Sequence, residues 1–217
     1  PSSGDAISSM ADQSSNAASY TQSTSGKRPT WITNQLNGKP VMRFSAASQQ
    51  NLIEANVNTV SRTSAFTIVM VVKLSSFDQA YKYMLNAKAS DCNAPLAYST
   101  NASYLDAFFG DDVSAQKFKV FRMTTISTPT SWHYISVFYN GSGSTTMANF
   151  SANLDTSALT LTSTSGNDGG GKNIVGSYKD SVIYNWNGDI AEVMIFNSQL
   201  TGTDLTNVQT YLNQKYG

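Results

Sequence analysis

The sequence predicts an all-β sandwich of two antiparallel sheets, closed by one C-terminal α-helix. Short apolar or alternating segments recur along the chain with turn residues between them, which is the pattern of a sandwich or barrel. Ser, Thr and Asn make up about a third of the residues, and they favour turns and strand surfaces over helix interiors. The 11 Tyr and 10 Phe residues add strand propensity.

The predicted strands lie between residues 37 and 196. Phe66–Leu74 is apolar on both faces, as a central strand is. Asn37-Gly38 and Asn140-Gly141 are tight-turn dipeptides that predict hairpins. The other predicted strands are Pro40–Phe44, Tyr83–Asn86, Tyr104–Phe109, Phe118–Arg122, Trp132–Tyr139, Thr145–Phe150, Asn173–Gly176 and Asn187–Phe196.

One helix is predicted, and it covers the last residues of the chain. Thr201 is placed to cap its start, with Asp204 three residues later as a reciprocal partner and a favourable anion in the first turn. An apolar stripe along one face predicts packing against the sandwich. That stripe comprises Leu205, Val208 and Leu212, and Lys215 and Gly217 complete the last turn.

The first 27 residues are rich in Ser, Ala and Asn and contain few large side chains. They fit either a linker without fixed structure or an ordered leading loop draped on the sandwich, and the sequence that follows favours the loop. Residues 1–217 are expected to form one domain, because a single sandwich can hold about 200–250 residues. A start at Pro1, without an initiator Met, predicts a piece processed or excised from a longer chain.

Charge and composition exclude several classes of function. The formal net charge is zero, with 14 basic and 14 acidic residues, so no long-range field attracts phosphate backbones or anionic membranes. Nucleic acid is therefore not an expected partner. No run approaches the ~20 apolar residues of a membrane helix, so no membrane insertion is expected. Cys92 is the only cysteine, which leaves no disulfide within the chain.

Two stretches carry a resemblance to a known family. The closing stretch is Trp186-Asn-Gly-Asp-Ile-Ala-Glu192, followed by Leu200-Thr201 and by Tyr211-Leu-Asn-Gln-Lys-Tyr-Gly217. The opening stretch matches more loosely, through Arg28-Pro-Thr30 and Leu36-Asn-Gly-Lys-Pro-Val41. Together they resemble the laminin-G-like, concanavalin A-like lectin and glucanase domains of bacterial or phage type. The resemblance implies a concanavalin A-like jelly roll.

The chain departs from that family at two early positions, where Met10 stands in place of Trp and Ser15 in place of Gly. The resemblance also places the family's opening strand before Pro1, so that part of one sheet edge is missing here or is supplied by another chain. This fold hosts lectins, glycosidases, adhesion modules and structural domains, so function has to be argued from particular residues.

The closing stretch resembles the Glu-x-Asp-x-x-Glu catalytic strand of laminarinase-type glucanases. Asp189 and Glu192 match that pattern, but Asn187 stands at the nucleophile position, and an amide cannot form the glycosyl-enzyme bond of a retaining enzyme. The chain is therefore not expected to be an enzyme. Gly188 is expected to make a close turn, and Glu192 to pair locally.

Two further motifs are predicted to be structural. One Cys and one His cannot supply a zinc site unless carboxylates provide the rest, so His133 is predicted to be a hydrogen-bonded structural side chain. Gly166–Lys172 fits part of a phosphate-binding loop, but it precedes a predicted strand, whereas a phosphate loop must open a helix. It is predicted to be a hairpin loop.

Sugar recognition needs an aromatic ring face together with amides and carboxylates. Ser90–Asp112 and Tyr178–Trp186 offer these groups without a sustained strand pattern, and they are predicted to be binding loops. No cofactor is certain; Ca²⁺ is a candidate, with Asp111 and Asp112 as ligands. The candidate glycan-binding residues are Tyr98, Asn101, Tyr104, Tyr178, Tyr184, Asn185 and Trp186.

The sequence leaves two functions open. The first is a non-catalytic carbohydrate-binding surface domain, on a phage tail or fibre or on a secreted bacterial protein, with extracellular or cell-surface glycans as partners. The second is a structural module that decorates a virion or surface assembly and has no ligand of its own. Both place the chain outside the cell or on a virion surface, as a homo-oligomer or attached to a larger protein.

Overall fold

A computed structural model describes residues 1–54, 59–61, 63–76, 82–88, 92–98, 105–111, 119–123, 128, 130–142, 149–155, 157–159, 161–165, 173–177 and 184–217. For residues 88, 92–98, 107–111, 119–123, 161–165 and 173–174 it describes the backbone only.

Strands make up most of the described chain. They are β1 (Ser9–Ala11), β2 (Ser19–Thr21), β3 (Thr30–Leu36), β4 (Lys39–Phe44), β5 (Leu52–Glu54), β6 (Phe66–Leu74), β7 (Lys82–Lys88), β8 (Cys92–Tyr98), β9 (Leu105–Asp111), β10 (Lys119–Met123), β11 (His133–Tyr139), β12 (Phe150–Leu154), β13 (Ser157–Ala158), β14 (Leu161–Ser165), β15 (Asn173–Val175) and β16 (Gly188–Phe196). A 3-10 turn covers Ser25–Lys27, and the helix α1 covers Gly202–Tyr216. Among the described residues, no helix is both long and apolar enough to span a membrane.

The strands form two antiparallel sheets that face each other. The nine-stranded sheet has the order β1-β2-β5-β15-β7-β8-β9-β10-β14, and the seven-stranded sheet has the order β13-β12-β11-β6-β16-β4-β3. β6 lies at the centre of the seven-stranded sheet, between β11 and β16. The predicted tight turn at Asn37-Gly38 joins β3 to β4 with positive φ at both residues, 44° and 72°, as a type I′ hairpin turn requires.

The inner faces of the two sheets enclose the main hydrophobic core. Every second residue of β6, from Phe66 to Leu74, points into it and is buried. The ring of Tyr139 packs against Phe66 at 5.3 Å between centroids and stacks on Phe150 at 4.6 Å. Trp186 is fully buried in the same cluster. Burying a large apolar side chain contributes about 1.5–3 kcal/mol, so this cluster is the principal source of stability.

The outer face of the seven-stranded sheet is covered by α1, so that β6 is buried on both faces as the sequence predicted. Val69 and Val71 of β6 pack there against Leu212 and Tyr216 of the helix. Thr67 of β6 fixes the segment that precedes α1. Its hydroxyl donates to the Ser198 carbonyl oxygen at 2.9 Å and accepts from the backbone N–H of Leu200 at 2.9 Å.

The helix agrees with its prediction in extent but not in every contact. Thr201 is the N-cap residue, yet its side chain makes no capping hydrogen bond. Val208 packs on the outer-face cluster as expected, whereas Leu205 is only partly buried and lies outside that cluster. Tyr216, which was not in the predicted stripe, extends the contact into the last turn. Gly217 ends the helix, with its N–H bonded to the carbonyl of Asn213.

The first residues are ordered and cover one side of the sandwich. The Gly4 N–H donates to the Trp31 carbonyl at 2.8 Å, and the Trp31 N–H donates to the Asp5 carbonyl at 2.9 Å, so the chain start pairs with the edge of β3. The chain then crosses to the other sheet as its edge strand β1, where the Gln13 amide donates to the Ala11 carbonyl at 3.0 Å. Occupied edges resist pairing with other chains. The prediction of an ordered leading loop is confirmed.

Two predicted segments are wrong in kind or in place. Ser90–Asp112 was expected to form binding loops without a sustained strand pattern, but its described residues form the strands β8 and β9, and β9 agrees with the separately predicted strand Tyr104–Phe109. Its small residues and Pro95 hide the alternation that signals a strand, and the neighbouring strands provide the pairing that local sequence does not show. In the predicted strand Thr145–Phe150, only Phe150 belongs to a strand among the described residues, and β12 continues beyond it.

Candidate functional site

The segment from Tyr184 to Asn187 brings an exposed tyrosine to the outer face of the nine-stranded sheet. Trp186 anchors the segment, because its ring is buried in the core and its backbone N–H donates to the Gly176 carbonyl at 2.8 Å. Asn185 precedes it, 2% exposed, and forms a backbone bridge with Tyr83 of β7. Tyr184 then reaches the surface with 39% of its area exposed.

The backbone of Tyr184 is strained. Its φ is 65°, in the left-handed region that bulky residues rarely adopt. Tyr83 holds it there: the Tyr83 N–H donates to the Tyr184 carbonyl at 3.0 Å, and the two ring centroids lie 6.1 Å apart. A left-handed residue other than glycine costs about 1–3 kcal/mol and persists only where its surroundings hold it. The fold therefore keeps an aromatic ring at the surface at a cost in stability.

Three polar side chains of the nine-stranded sheet share the outer face with this segment. Leu85 of β7 and Leu105 of β9 point into the core, so Asn86 and Asp106, the next residues, point outward. Tyr83 lies in the same row as Asp106, with β8 between them, so their Cα atoms are about 10 Å apart. Tyr83, Asn86 and Asp106 are buried, at 6%, 0% and 0% exposure.

One group of this arrangement is suited to contact a saccharide directly. The phenol ring of Tyr184 gives a rigid apolar surface with few rotatable bonds, and 39% of the residue is exposed. Asn86 and Asp106 are 0% exposed, so they lie inside the fold and do not reach a sugar bound at the surface. The outer face beside Tyr184 can therefore offer the stacking surface of a carbohydrate site.

The predicted glycan-binding residues differ in exposure, and several of them are not described. Tyr184 is exposed as expected, but Trp186 is 0% exposed and Asn185 is 2% exposed. The Trp186 ring fills the core, so it supports the segment and cannot present its face to a sugar. For Tyr98 only the backbone of β8 is described. The remaining candidates, Asn101, Tyr104 and Tyr178, lie outside the described residues.

Sequence reasoning missed the outer-face residues Tyr83, Asn86 and Asp106 as site candidates. Leu105-Asp106 did carry a signal, namely a charged residue directly beside a core residue within a strand. These residues share a sheet face with Tyr184 because strands from segments about 20 to 100 residues apart pair with each other. A pattern within one segment does not show which distant segment it pairs with.

The candidate calcium ligands are not tested by the structure. Asp111 ends β9, where only the backbone is described, and Asp112 lies outside the described residues. Among the residues that are described, no group of three or more His, Cys, Asp or Glu side chains could hold a metal ion.

The glucanase-like residues of the closing strand are engaged in structural contacts. The Asn187 amide donates to the Ser76 hydroxyl at 3.0 Å. Asp189 is almost fully buried and accepts two hydrogen bonds from Arg43, at 2.7 Å and 2.8 Å. That pairing raises the pKa of the Arg43 guanidinium, chiefly through the hydrogen bond. Gly188 lies inside β16 rather than in a turn, and a Cβ there would collide with the backbone carbonyl of Lys73.

Glu192 pairs locally, as expected. Its carboxylate binds the Lys215 ammonium and accepts from the Tyr216 hydroxyl at 2.6 Å. Burial, followed by the hydrogen bond to this carboxylate, raises the pKa of the Tyr216 phenol. Both carboxylates of the strand thus face the helix side of the seven-stranded sheet and hold the fold together.

His133 is a hydrogen-bonded structural side chain, as predicted. It is 6% exposed, with Nδ1 at 3.1 Å from an Asp155 carboxylate oxygen and Nε2 at 2.8 Å from the Thr128 carbonyl oxygen. The imidazole therefore ties the turn after β12 to the loop before β11. Gly166–Lys172 lies outside the described residues, and the predicted strand that follows it is β15.

Comparison with known proteins finds no matching family model and no curated protein with a matching sequence. Solved structures do share the fold. The botulinum neurotoxin serotype G binding domain gives a TM-score of 0.60 at 12% identity over 95% of this chain. The receptor-binding domain of the botulinum neurotoxin mosaic serotype C/D gives 0.59 at 14% identity over 95%. The binding domain of botulinum neurotoxin DC, solved in complex with SialylT, gives 0.54 at 14% identity over 94%.

The chain spans about half of each of those domains, at 51%, 50% and 51% of their lengths. At such low identity the similarity shows the fold alone. The fold class predicted from the sequence is confirmed: the chain is an all-β, concanavalin A-like jelly-roll sandwich of two antiparallel sheets with one C-terminal helix.

Proposed function

We propose that this chain is a non-catalytic, lectin-like carbohydrate-binding domain whose site lies on the outer face of the nine-stranded sheet, beside Tyr184. The observation that carries the proposal is the exposed Tyr184 ring, held in a left-handed backbone against buried Tyr83. Strain of this kind is retained where the strained residue has a task. The fold shared with receptor-binding domains supports the proposal at the level of architecture.

A single exposed ring gives weak binding to one sugar. Useful affinity then comes from several copies on one particle or surface. The neutral, hydroxyl-rich composition supports a location outside the cell or on a virion surface, where the domain is attached to a larger protein or assembly. Calcium bound by Asp111 and Asp112 remains a part of the proposal that metal titration can test.

The absence of catalysis is proposed from the closing strand. Asn187 takes the nucleophile position. The two carboxylates that follow it in the sequence, Asp189 and Glu192, are bound to Arg43 and Lys215. Purified protein should therefore release no reducing sugar from β-glucans. Steady release that disappears in Glu192→Gln would contradict this part of the proposal.

The test of binding is a glycan array probed with the wild type, followed by affinity measurements on any ligand found. Glycine adopts positive φ without strain, so Tyr184→Gly removes the ring while preserving the backbone. We expect it to lower affinity at least about tenfold, or 1.4 kcal/mol, and to leave the melting temperature nearly unchanged. Tyr211→Ala, at a second tyrosine that is exposed among the described residues, is the matched control and should bind normally.

Two outcomes oppose the proposal. If the array shows no glycan for the folded wild type, the domain is a structural module without a ligand of its own. If a glycan binds and Tyr184→Gly binds it as tightly as the wild type does, the site lies elsewhere on the molecule.

A further inference from the structure

The outer face of the seven-stranded sheet carries a row of charged and aromatic side chains beyond the end of α1. Strand register places Lys73 of β6 opposite Asp189 of β16, and Asp189 opposite Arg43 of β4. Trp132 lies directly before β11 on the other side of Lys73. With neighbouring strands about 4.8 Å apart, Lys73 and Arg43 are separated by about 10 Å on the same face of the sheet.

The carboxylates in this region already have their own cations. Asp189 is bound through both oxygens by Arg43, and Glu192 is bound by Lys215. Lys73 differs from Arg43 and Lys215. Among the described residues its ammonium has no ion-pair partner, and it lies 5.9 Å above the centre of the Trp132 ring. A cation over an indole face is stabilised by the ring quadrupole, so the charge is held in place without being neutralised.

The exposed side of Arg43 adds a second fixed cation to the row. Its side chain is 44% exposed, and its Nη2 also binds the Gln35 amide oxygen at 3.0 Å. Because Asp189 and Gln35 fix the guanidinium, little side-chain entropy is lost when another group binds to it. A partly exposed Trp and an exposed Gln at the ends of the row offer the ring contact and amide group that saccharides use.

We propose that Lys73, held over Trp132 and flanked by Arg43, forms a second binding site that takes the carboxylate of an acidic saccharide. The carboxylate binds the Lys73 ammonium, and the sugar rings extend along the row toward Arg43. This site is on the opposite sheet from Tyr184 and does not depend on the function proposed for that residue. Since the whole chain carries no net charge, the preference for an acidic ligand comes from this local arrangement.

The probes are trigalacturonate and its methyl ester, which keeps the rings and linkages and removes the charges. Calorimetric titration of the full chain should show at least about tenfold tighter binding of the acid than of the ester, the size of one charge-assisted hydrogen bond. That preference should be lost in Lys73→Gln, kept in the control Lys39→Gln at an exposed lysine of β4, and kept in Tyr184→Gly. Raising the salt concentration should weaken it.

Asp189→Asn should change the affinity for the acid in the opposite direction from Lys73→Gln. Because it removes the negative charge that is bound to Arg43, it should tighten binding of the acid by several-fold in a variant whose melting curve shows a folded protein. If this variant does not fold, the comparison of Lys73→Gln with Lys39→Gln decides alone. Equal binding of acid and ester overturns the proposal. It is also overturned if Lys73→Gln and Lys39→Gln lose the preference for the acid to the same extent. Sodium acetate that binds as tightly as trigalacturonate also overturns it, because the ligand is then a free carboxylate.

Discussion

Truncating Leu212 to Ala tests whether α1 is an integral layer of the domain. Leu212 is 2% exposed and lies in one cluster with Val69 and Val71 of β6 and with Tyr216 of the same helix. Removing three buried carbons from such a site costs about 2–5 kcal/mol, through lost apolar contact and the cavity left behind. For a chain of this size each kcal/mol lowers the melting temperature by about 2–4 °C, so we expect a fall of roughly 5–15 °C.

The assay is thermal unfolding followed by circular dichroism at a helix wavelength and, separately, by near-ultraviolet signal from the aromatic core. Thr210→Ala is the matched control, because Thr210 is an exposed residue of the same helix and should change the melting temperature little. If Leu212→Ala melts with the control, the helix is not docked on the sheet. If only the helix signal shifts, α1 unfolds apart from the sandwich, and its role as a covering layer is refuted.

Two further variants test the close packing and electrostatics of the core. Gly188→Ala should lower the unfolding free energy by about 1–3 kcal/mol or more, because its Cβ meets backbone of β6, whereas Gly26→Ala, with open space around it, should be nearly neutral by urea unfolding. Burial, and then the charges of Glu54 and Asp12, raise the pKa of Tyr20 from 10.0 to about 12, so its protonated form contributes stability fully below pH 10 that is lost as the pH rises to 12. Tyr20→Phe should therefore lose less stability than the wild type between pH 9 and pH 11.5, by about 2 kcal/mol; identical losses would contradict the assignment.

Some elements could be predicted from the sequence because their signals are local. The Phe66–Leu74 run is apolar at every position but Thr67 and Lys73, so burial of both faces followed from composition alone. The Asn37-Gly38 turn depends only on two residues that tolerate positive φ. The helix followed from its apolar spacing, although its deepest contacts, Leu212 and Tyr216, depend on the sheet beneath it.

The candidate site could not be predicted in full, for a physical reason. Trp186 stands among polar residues in the sequence, which resembles a binding loop, but a large indole gains more from burial in the core than from exposure. Tyr83, Asn86 and Asp106 come together only through the registers of β7, β8 and β9. Register is set by the packing of whole sheets, so the outer face was not visible in any one segment.

Solution NMR of the labelled domain with a neutral glycan from the array tests the central claim most directly. Chemical-shift changes at saturating glycan should centre on the backbone amides of Tyr83, Asn86, Asp106 and Tyr184, and should disappear in Tyr184→Gly. Shifts centred on α1 or on the seven-stranded sheet, with the Tyr184 neighbourhood unchanged, would contradict the proposed carbohydrate site.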